Sequence, residues 1–209
     1  MRYLACAAVF VLLAGGVAAG QNTSFTISGG YSNLQFNHAM LPYERSGGYV
    51  DTEFLWRATG SRTPLLLGFG ISGSGTHDRK DLPVQFSNGF IGTTPLDSDV
   101  GLFSLEARAA IPIPLGDRGL FVMPQLGMGL LVDSYAIDQS FNSGGLIFIN
   151  TQYHDGAAFA IRPGVQVGYS WGWGSAGAEV SYMAAWGDFG QLGSRVFELR
   201  AGAFFRIKL

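Results

Sequence analysis

Charge is scarce in this sequence. Asp, Glu, Lys and Arg together make up 13% of the chain, against about 25% in an ordinary soluble domain, too few to coat a water-facing surface. The signs nearly cancel, leaving a formal net charge of −2, which offers no basic footprint for nucleic acid. Cysteine is confined to Cys6, inside a segment that reads as a leader, so the mature chain has no disulfide and no thiol chemistry. After residue 20 no apolar run approaches the 18 or more residues of a spanning helix. Any membrane crossing must therefore be made by strands. Metal-ligand spacings, a phosphate loop and a nucleophile elbow are also missing. Gly29-Gly30, Gly47-Gly48 and Gly144-Gly145 do not open a helix after a strand, as a nucleotide-binding turn would. No cofactor or metal is expected.

What the chain does contain begins with a leader. Arg2 gives a minimal positive end, Tyr3 to Leu13 an apolar core, and Val17-Ala18-Ala19 the small residues a signal peptidase needs. Residues 1–20 are thus expected to be a cleaved signal peptide, with the cut after Ala19 or Gly20, and residues 21–209 one domain.

The rest alternates. Val50, Thr52, Phe54, Trp56 and Ala58 oppose Asp51, Glu53, Leu55 and Arg57, and Phe103, Leu105, Ala107 and Ala109 oppose Ser104, Glu106 and Arg108. Period two means strands. Eight such segments can be traced, the first weakened by a slip near Asn33 and Leu34. Each is long enough for the 9 to 11 residues that cross a bilayer as a tilted strand. Connections at 60–63, 112–119 and 172–175 are short, whereas 37–48, 74–99, 134–156 and 187–195 are longer and polar, the alternation of turns and loops found in transmembrane barrels. Paired residues share a face, which fits Ala58 opposite Leu65 and Trp171 opposite Ala176 across two of the short turns. The fold class expected is all-β, an eight-stranded antiparallel up-and-down transmembrane β-barrel.

A lipocalin-like soluble barrel would also alternate, but with its apolar set inward. From the second segment on, the apolar sets hold no charge. The opposite sets hold Asp51, Glu53, Arg57, Glu106, Arg108, Arg162, Glu179, Glu198, Arg200, Arg206 and Lys208, diluted among Gly, Ala and Ser. That mixture suits a crowded lumen, where Glu53, Arg57, Glu106, Arg108, Arg162, Glu179, Glu198, Arg200 and Arg206 are expected to pair across the interior, because confined charges are costly when unpaired. Aromatic residues fall in two bands: Trp56, Tyr169, Trp171, Trp173 and Phe205 near the turn-side ends, and Tyr31, Tyr49, Phe103 and Trp186 near the loop-side ends. Headgroup regions select such belts.

From Val50 to Leu209 the chain resembles the small OmpA/OmpX-type outer-membrane barrels, and the final strand Phe197 to Leu209 is similar to that family's C-terminal assembly signal. It departs in ending on Leu209 where the family usually has Phe. The resemblance implies the bacterial outer membrane as location, outer-membrane lipid and the outer-membrane assembly machinery as partners, and a monomer. It says little of activity, because one scaffold hosts many functions.

Three functional readings follow. The first is a non-enzymatic barrel with a charge-plugged lumen, serving envelope structure or surface interaction, with an extracellular protein or surface ligand as partner. The second is a narrow channel for small solutes or apolar molecules. The third is a lipid-modifying enzyme at the rim, since His38, His77 and His154 fall in the loops beside Asp78, Asp81 and Asp155, though in no catalytic spacing. Within 134–156, Asn142-Ser143-Gly144-Gly145 lies between β-prone runs, so a hairpin is expected to rise above the membrane there. Residues 74–99 read as a loop with a charged stem, His77 to Asp81.

Overall fold

A computed structural model of the protein describes residues 23–37, 44–58, 64–85, 91–116, 118–143, 146–190 and 193–209. The segment read as a signal peptide, and His38, lie outside these residues. In chain order the strands are β1 (Thr23–Phe36), β2 (Glu44–Arg57), β3 (Leu66–Gln85), β4 (Ile91–Ala110), β5 (Ile113–Pro114), β6 (Leu120–Ser143), β7 (Leu146–Trp171), β8 (Gly174–Gly187) and β9 (Arg195–Lys208). β5 is a two-residue bridge onto Val122 and Phe121 in the connection between β4 and β6. The other eight form the expected antiparallel barrel: β4 pairs with β6, and β1 pairs with both β2 and β9, so the ring closes without a free edge at membrane level.

The alternation puts apolar side chains outside. Leu130 is 59% exposed while Glu198 is 0% exposed, the reverse of a soluble protein, and Ile27, Val50, Leu105, Val167, Val180 and Leu199 repeat the outward pattern. Such a surface needs lipid against it. The barrel is a transmembrane barrel, with charged residues inside.

The slip expected near Asn33 and Leu34 does not occur. β1 pairs in unbroken register with β2 and β9 through both residues, and Leu34 points inward, fully buried. Its apolar character answers to the lumen rather than to the lipid. The turn after β7 is also tighter than expected. Trp171 stands opposite Gly174, and Ala176 is opposite Tyr169 rather than Trp171; the shift is by two residues, so every side chain keeps its face. The Ala58 to Leu65 pairing is as expected, closed by a 2.9 Å backbone bond.

The largest departure concerns residues 74–99. Residues 74–85 and 91–99 are not a loop: β3 and β4 run as one ladder from Leu66 opposite Ala110 to Gln85 opposite Ile91. Above the lipid no buried face imposes alternation, so the strand is invisible to a periodicity test while its backbone bonds persist. The hairpin expected in 134–156 does form, with β6 and β7 paired up to Ser143 opposite Leu146.

Candidate functional site

Two places gather polar chemistry: the lumen, and the outer rim where β6, β7 and the β8–β9 connection meet.

The lumen is layered. Toward the turns lies an apolar layer of Leu55, Ala110, Phe121, Met123 and Phe204. Toward the loops lies a second, including Leu34, Leu102, Leu131, Met183, Phe189 and Val196. Between them sit five buried carboxylates, Asp51, Glu53, Glu106, Glu179 and Glu198, and four buried guanidiniums, Arg108, Arg162, Arg200 and Arg206.

Their contacts form a circuit. Arg108 grips Asp51 through two nitrogens at 2.7 and 3.0 Å, reaches Glu53 at 3.3 Å, and donates to Glu106 at 3.2 Å. Glu106 also meets Arg162 at 3.0 Å, and Arg162 lies 3.9 Å from Glu198. Glu198 pairs with Arg200 at 2.8 Å, and the Arg200 guanidinium lies 5.0 Å from the centre of the Tyr49 ring. The Tyr49 hydroxyl donates to Glu179 at 2.7 Å, Gln166 donates to Glu179 at 3.0 Å, and Arg206 donates to Gln166 at 2.7 Å and to Glu53 at 3.1 Å. With Thr26 accepting from Arg206 at 2.8 Å, Arg162 donating to Ser72 at 3.1 Å, and Arg206 set 3.3 Å from the Met123 sulfur, every long strand contributes a member. The space exists because of glycine. A Cβ on Gly70 would collide with the Arg108 guanidinium, and one on Gly127 would lie 2.5 Å from Glu106 Oε2.

Two residues expected elsewhere need correction. Tyr49 is not in the lipid-facing belt: it is 4% exposed and bonded to Glu179 inside. Its odd number in a strand whose even residues face out was the available signal, and its aromatic identity masked it. Arg57 is not within the lumen network: it lies exposed at the end of β2, where the strand has run out of barrel. Lys208 likewise sits at the turn-side rim, donating to Ser170 and to the Trp171 carbonyl. Trp56, Tyr169, Phe205 and Trp186 are exposed on the outer face. Trp171 packs against Trp173 and Phe205 at 5.6 and 6.1 Å between ring centres, at the turn side.

The histidines do not converge. His77 bonds Asp99 at 2.8 Å on the exposed β3–β4 ladder. His154 stacks on Tyr135 at 5.2 Å and lies 3.8 Å from Asp133 Oδ2. Asp133 carries no signal of its own in the sequence. Burial pushes its carboxyl above the usual range, and the nearby His154 opposes that shift. The outward apolar run of β6 ends at Val132, and beyond it Ser134 stands opposite exposed Asp155, so this cluster lies above the lipid.

No protein-family model and no curated protein matches the chain. Among solved structures it is similar to the outer membrane protease OmpT from Escherichia coli, with a TM-score of 0.52 at 8% identity, covering 90% of this chain and 97% of that one. It is also similar to Neisserial surface protein A, with a TM-score of 0.48 at 14% identity over 90% and 97% of the two chains. The attachment invasion locus protein Ail of Yersinia pestis gives a TM-score of 0.48 at 16% identity over 89% and 98%. At these identities the likeness is one of fold.

Proposed function

We propose that the protein is a non-enzymatic, non-conducting outer-membrane barrel that works through its extracellular surface, binding an extended segment of an extracellular protein by strand addition. The observation that carries this reading is the unequal height of the wall. β1, β2, β8 and β9 have 14 residues each, while β3 and β4 have 20, β6 has 24 and β7 has 26. The pairing of β2 with β3 stops at Gly47 opposite Thr76, and that of β7 with β8 stops at Ala158 opposite Gly187. The four tall strands stay paired among themselves, with β4 and β6 joined up to Leu96 opposite Gln139. Among the described residues, a sheet therefore stands above the membrane with two backbone edges that no neighbouring barrel strand covers.

The edges differ. Residues 77–85 of β3 carry Asp78, Arg79, Lys80, Asp81 and Pro83, the residues that protect an edge from pairing. Residues 146–153 of β7, Leu-Ile-Phe-Ile-Asn-Thr-Gln-Tyr, carry no charge and no proline. Main-chain bonds to an added strand supply affinity at such an edge. Below it, the lumen charges act as a plug between two apolar layers, since an eight-stranded interior is just wide enough for side chains to fill.

Two measurements test the reading. In planar bilayers the purified barrel should show no steady conductance; stable openings would replace it with the channel. Cells displaying the barrel should retain an immobilised extended, β-prone peptide, and Ile149→Pro should reduce that retention several-fold without changing the amount of folded barrel. Retention unchanged by Ile149→Pro would remove the β7 edge as the docking site, and hydrolysis of lipid by the purified barrel would favour the rim enzyme.

A further inference from the structure

At the turn side of the barrel, the connection from β4 to β6 ends in a tight turn folded back on β7. Leu115 donates its backbone N–H to the Leu120 carbonyl at 2.8 Å, and Ser170 of β7 donates to the Gly119 carbonyl at 2.8 Å. Gly119 has a φ of 78°, a conformation that glycine takes at no steric cost. A Cβ there would also lie 2.5 Å from the Ser170 carbonyl oxygen and 3.2 Å from the Tyr169 ring. The turn is thus pinned to β7, and it carries the exposed Arg118 with it. Arg118 and Lys208 line one cleft, together with Tyr169, Ser170 and Trp171. Lys208 commits two donors to neutral oxygens, the Ser170 hydroxyl at 2.9 Å and the Trp171 carbonyl at 3.1 Å, which leaves a third N–H and the whole charge unanswered. The cleft therefore holds two positive charges, and no Asp or Glu is among the described residues that line it.

We propose that Arg118 and Lys208 hold the phosphodiester of an anionic phospholipid whose chains lie along the outer face of β6 and β7. The cleft opens at headgroup level. Trp171 packs with Tyr169 at 6.4 Å and Trp173 at 5.6 Å between ring centres, and such rings settle at the boundary between hydrocarbon and water. On the membrane side of the cleft, Leu120 stands opposite Tyr169 and Val122 opposite Val167. Leu120, Tyr169 and Val167 are each half exposed, an outward apolar strip against which acyl chains can lie. Arginine presents parallel N–H groups to two phosphate oxygens, and lysine adds a point charge. A zwitterionic headgroup would bring its own ammonium up against these two cations, so the cleft favours a headgroup with net negative charge. Free phosphate would meet the cations but leave the apolar strip unused. The site lies at the opposite end of β7 from the open edge, so it does not depend on what that edge binds.

The test uses the full barrel in non-ionic detergent, offered equal amounts of dioleoylphosphatidylglycerol and dioleoylphosphatidylcholine and read by native mass spectrometry. The unmutated barrel should retain one phosphatidylglycerol in preference to phosphatidylcholine. Arg118→Gln and Lys208→Gln should each cut that preference about fivefold, the scale of one cation facing an anionic lipid, and the double variant should abolish it. Arg57→Gln removes an equal charge from an exposed position at the turn-side end of β2, outside the cleft, and should leave the preference unchanged. Both cleft cations are exposed, so the variants should fold, as circular dichroism would check. Excess inorganic phosphate should leave the lipid in place; phosphate that displaced it completely would make the cleft a site for the free anion and overturn the lipid. Absence of any preference in the unmutated barrel overturns the proposal, as does a preference that survives the double substitution or falls equally in Arg57→Gln.

Discussion

The tall strands β3, β4, β6 and β7 and the short strands β1, β2, β8 and β9 share one barrel, but different forces hold their upper and lower parts. At membrane level both halves are bound twice over: outward apolar side chains meet lipid, and inward polar side chains meet the lumen circuit. Above it only the tall half continues, and there the backbone ladder is the element common to both hairpins. The contrast between β7 near Val167 and β7 near Tyr153 is therefore a contrast of solvents within a single strand. The same side chain should have opposite consequences at the two heights.

The largest effect is expected where both halves meet, in the lumen. Arg108, on β4 of the tall half, holds Asp51 and Glu53 of the short half and Glu106 of its own strand. Arg108→Ala leaves three buried carboxylates short of a cation and should cost roughly 3–5 kcal/mol, read by urea unfolding in lipid vesicles. Water drawn into the vacated space would reduce that figure. A loss no greater than that of an outer-face Ala substitution would show that the halves are joined by backbone pairing alone.

Legibility in the sequence follows the same division. Where lipid lies on one side and lumen on the other, alternation is enforced, and strand identity, face and count can be read from Val50 onward. Where that constraint ends, reading fails: His77 to Asp81 looks like a loop stem although β3 runs straight through it. The lumen charges are visible as polar residues in the inward sets, but their partners are not. Arg108 meets Glu53 across the one intervening strand, β3, and that distance depends on register and on the absence of a side chain at Gly70. The two apolar layers are hidden for a related reason. Leu34, Leu55 and Met183 face inward and so look like faults in the pattern. Tyr49 was the converse, a residue whose parity told the truth while its type did not. The Asp133 and His154 pair had no local signal at all, since 20 residues of hairpin bring them together through Tyr135 opposite His154.

A smaller effect should separate the two solvents. Val167 lies on the outer face of β7, 48% exposed, paired with Ala178 on β8 and Val122 on β6. Val167→Arg places a guanidinium against hydrocarbon and should cost about 2–4 kcal/mol near the midplane. Leu105→Arg on β4 should behave alike, since it occupies the same outer surface at 50% exposure. Folding yields into vesicles, compared with yields in detergent micelles, would show whether the loss follows the bilayer. Equal yields in both would mean that these positions do not touch lipid.

The smallest effect is expected fourteen residues back along the same strand. Tyr153 is 80% exposed and sits where β7 has left β8 behind, still paired with Ala136 of β6. Its neighbours indicate water: Asp155 is exposed two residues on, and the outward apolar run of β6 has already ended at Val132. A surface substitution of this kind usually changes stability by no more than about 0.5 kcal/mol, so Tyr153→Arg should fold into vesicles as well as the unmutated chain. The ratio of the two arginine effects then measures the height of the lipid boundary on β7. If Tyr153→Arg were as damaging as Val167→Arg, lipid would reach Tyr153, and the β7 edge would be buried in the membrane instead of open to a partner. If instead Ala157→Arg, four residues nearer the barrel, gave an intermediate loss, the boundary would lie between Tyr153 and Phe159, as the side-chain pattern of β6 and β7 requires.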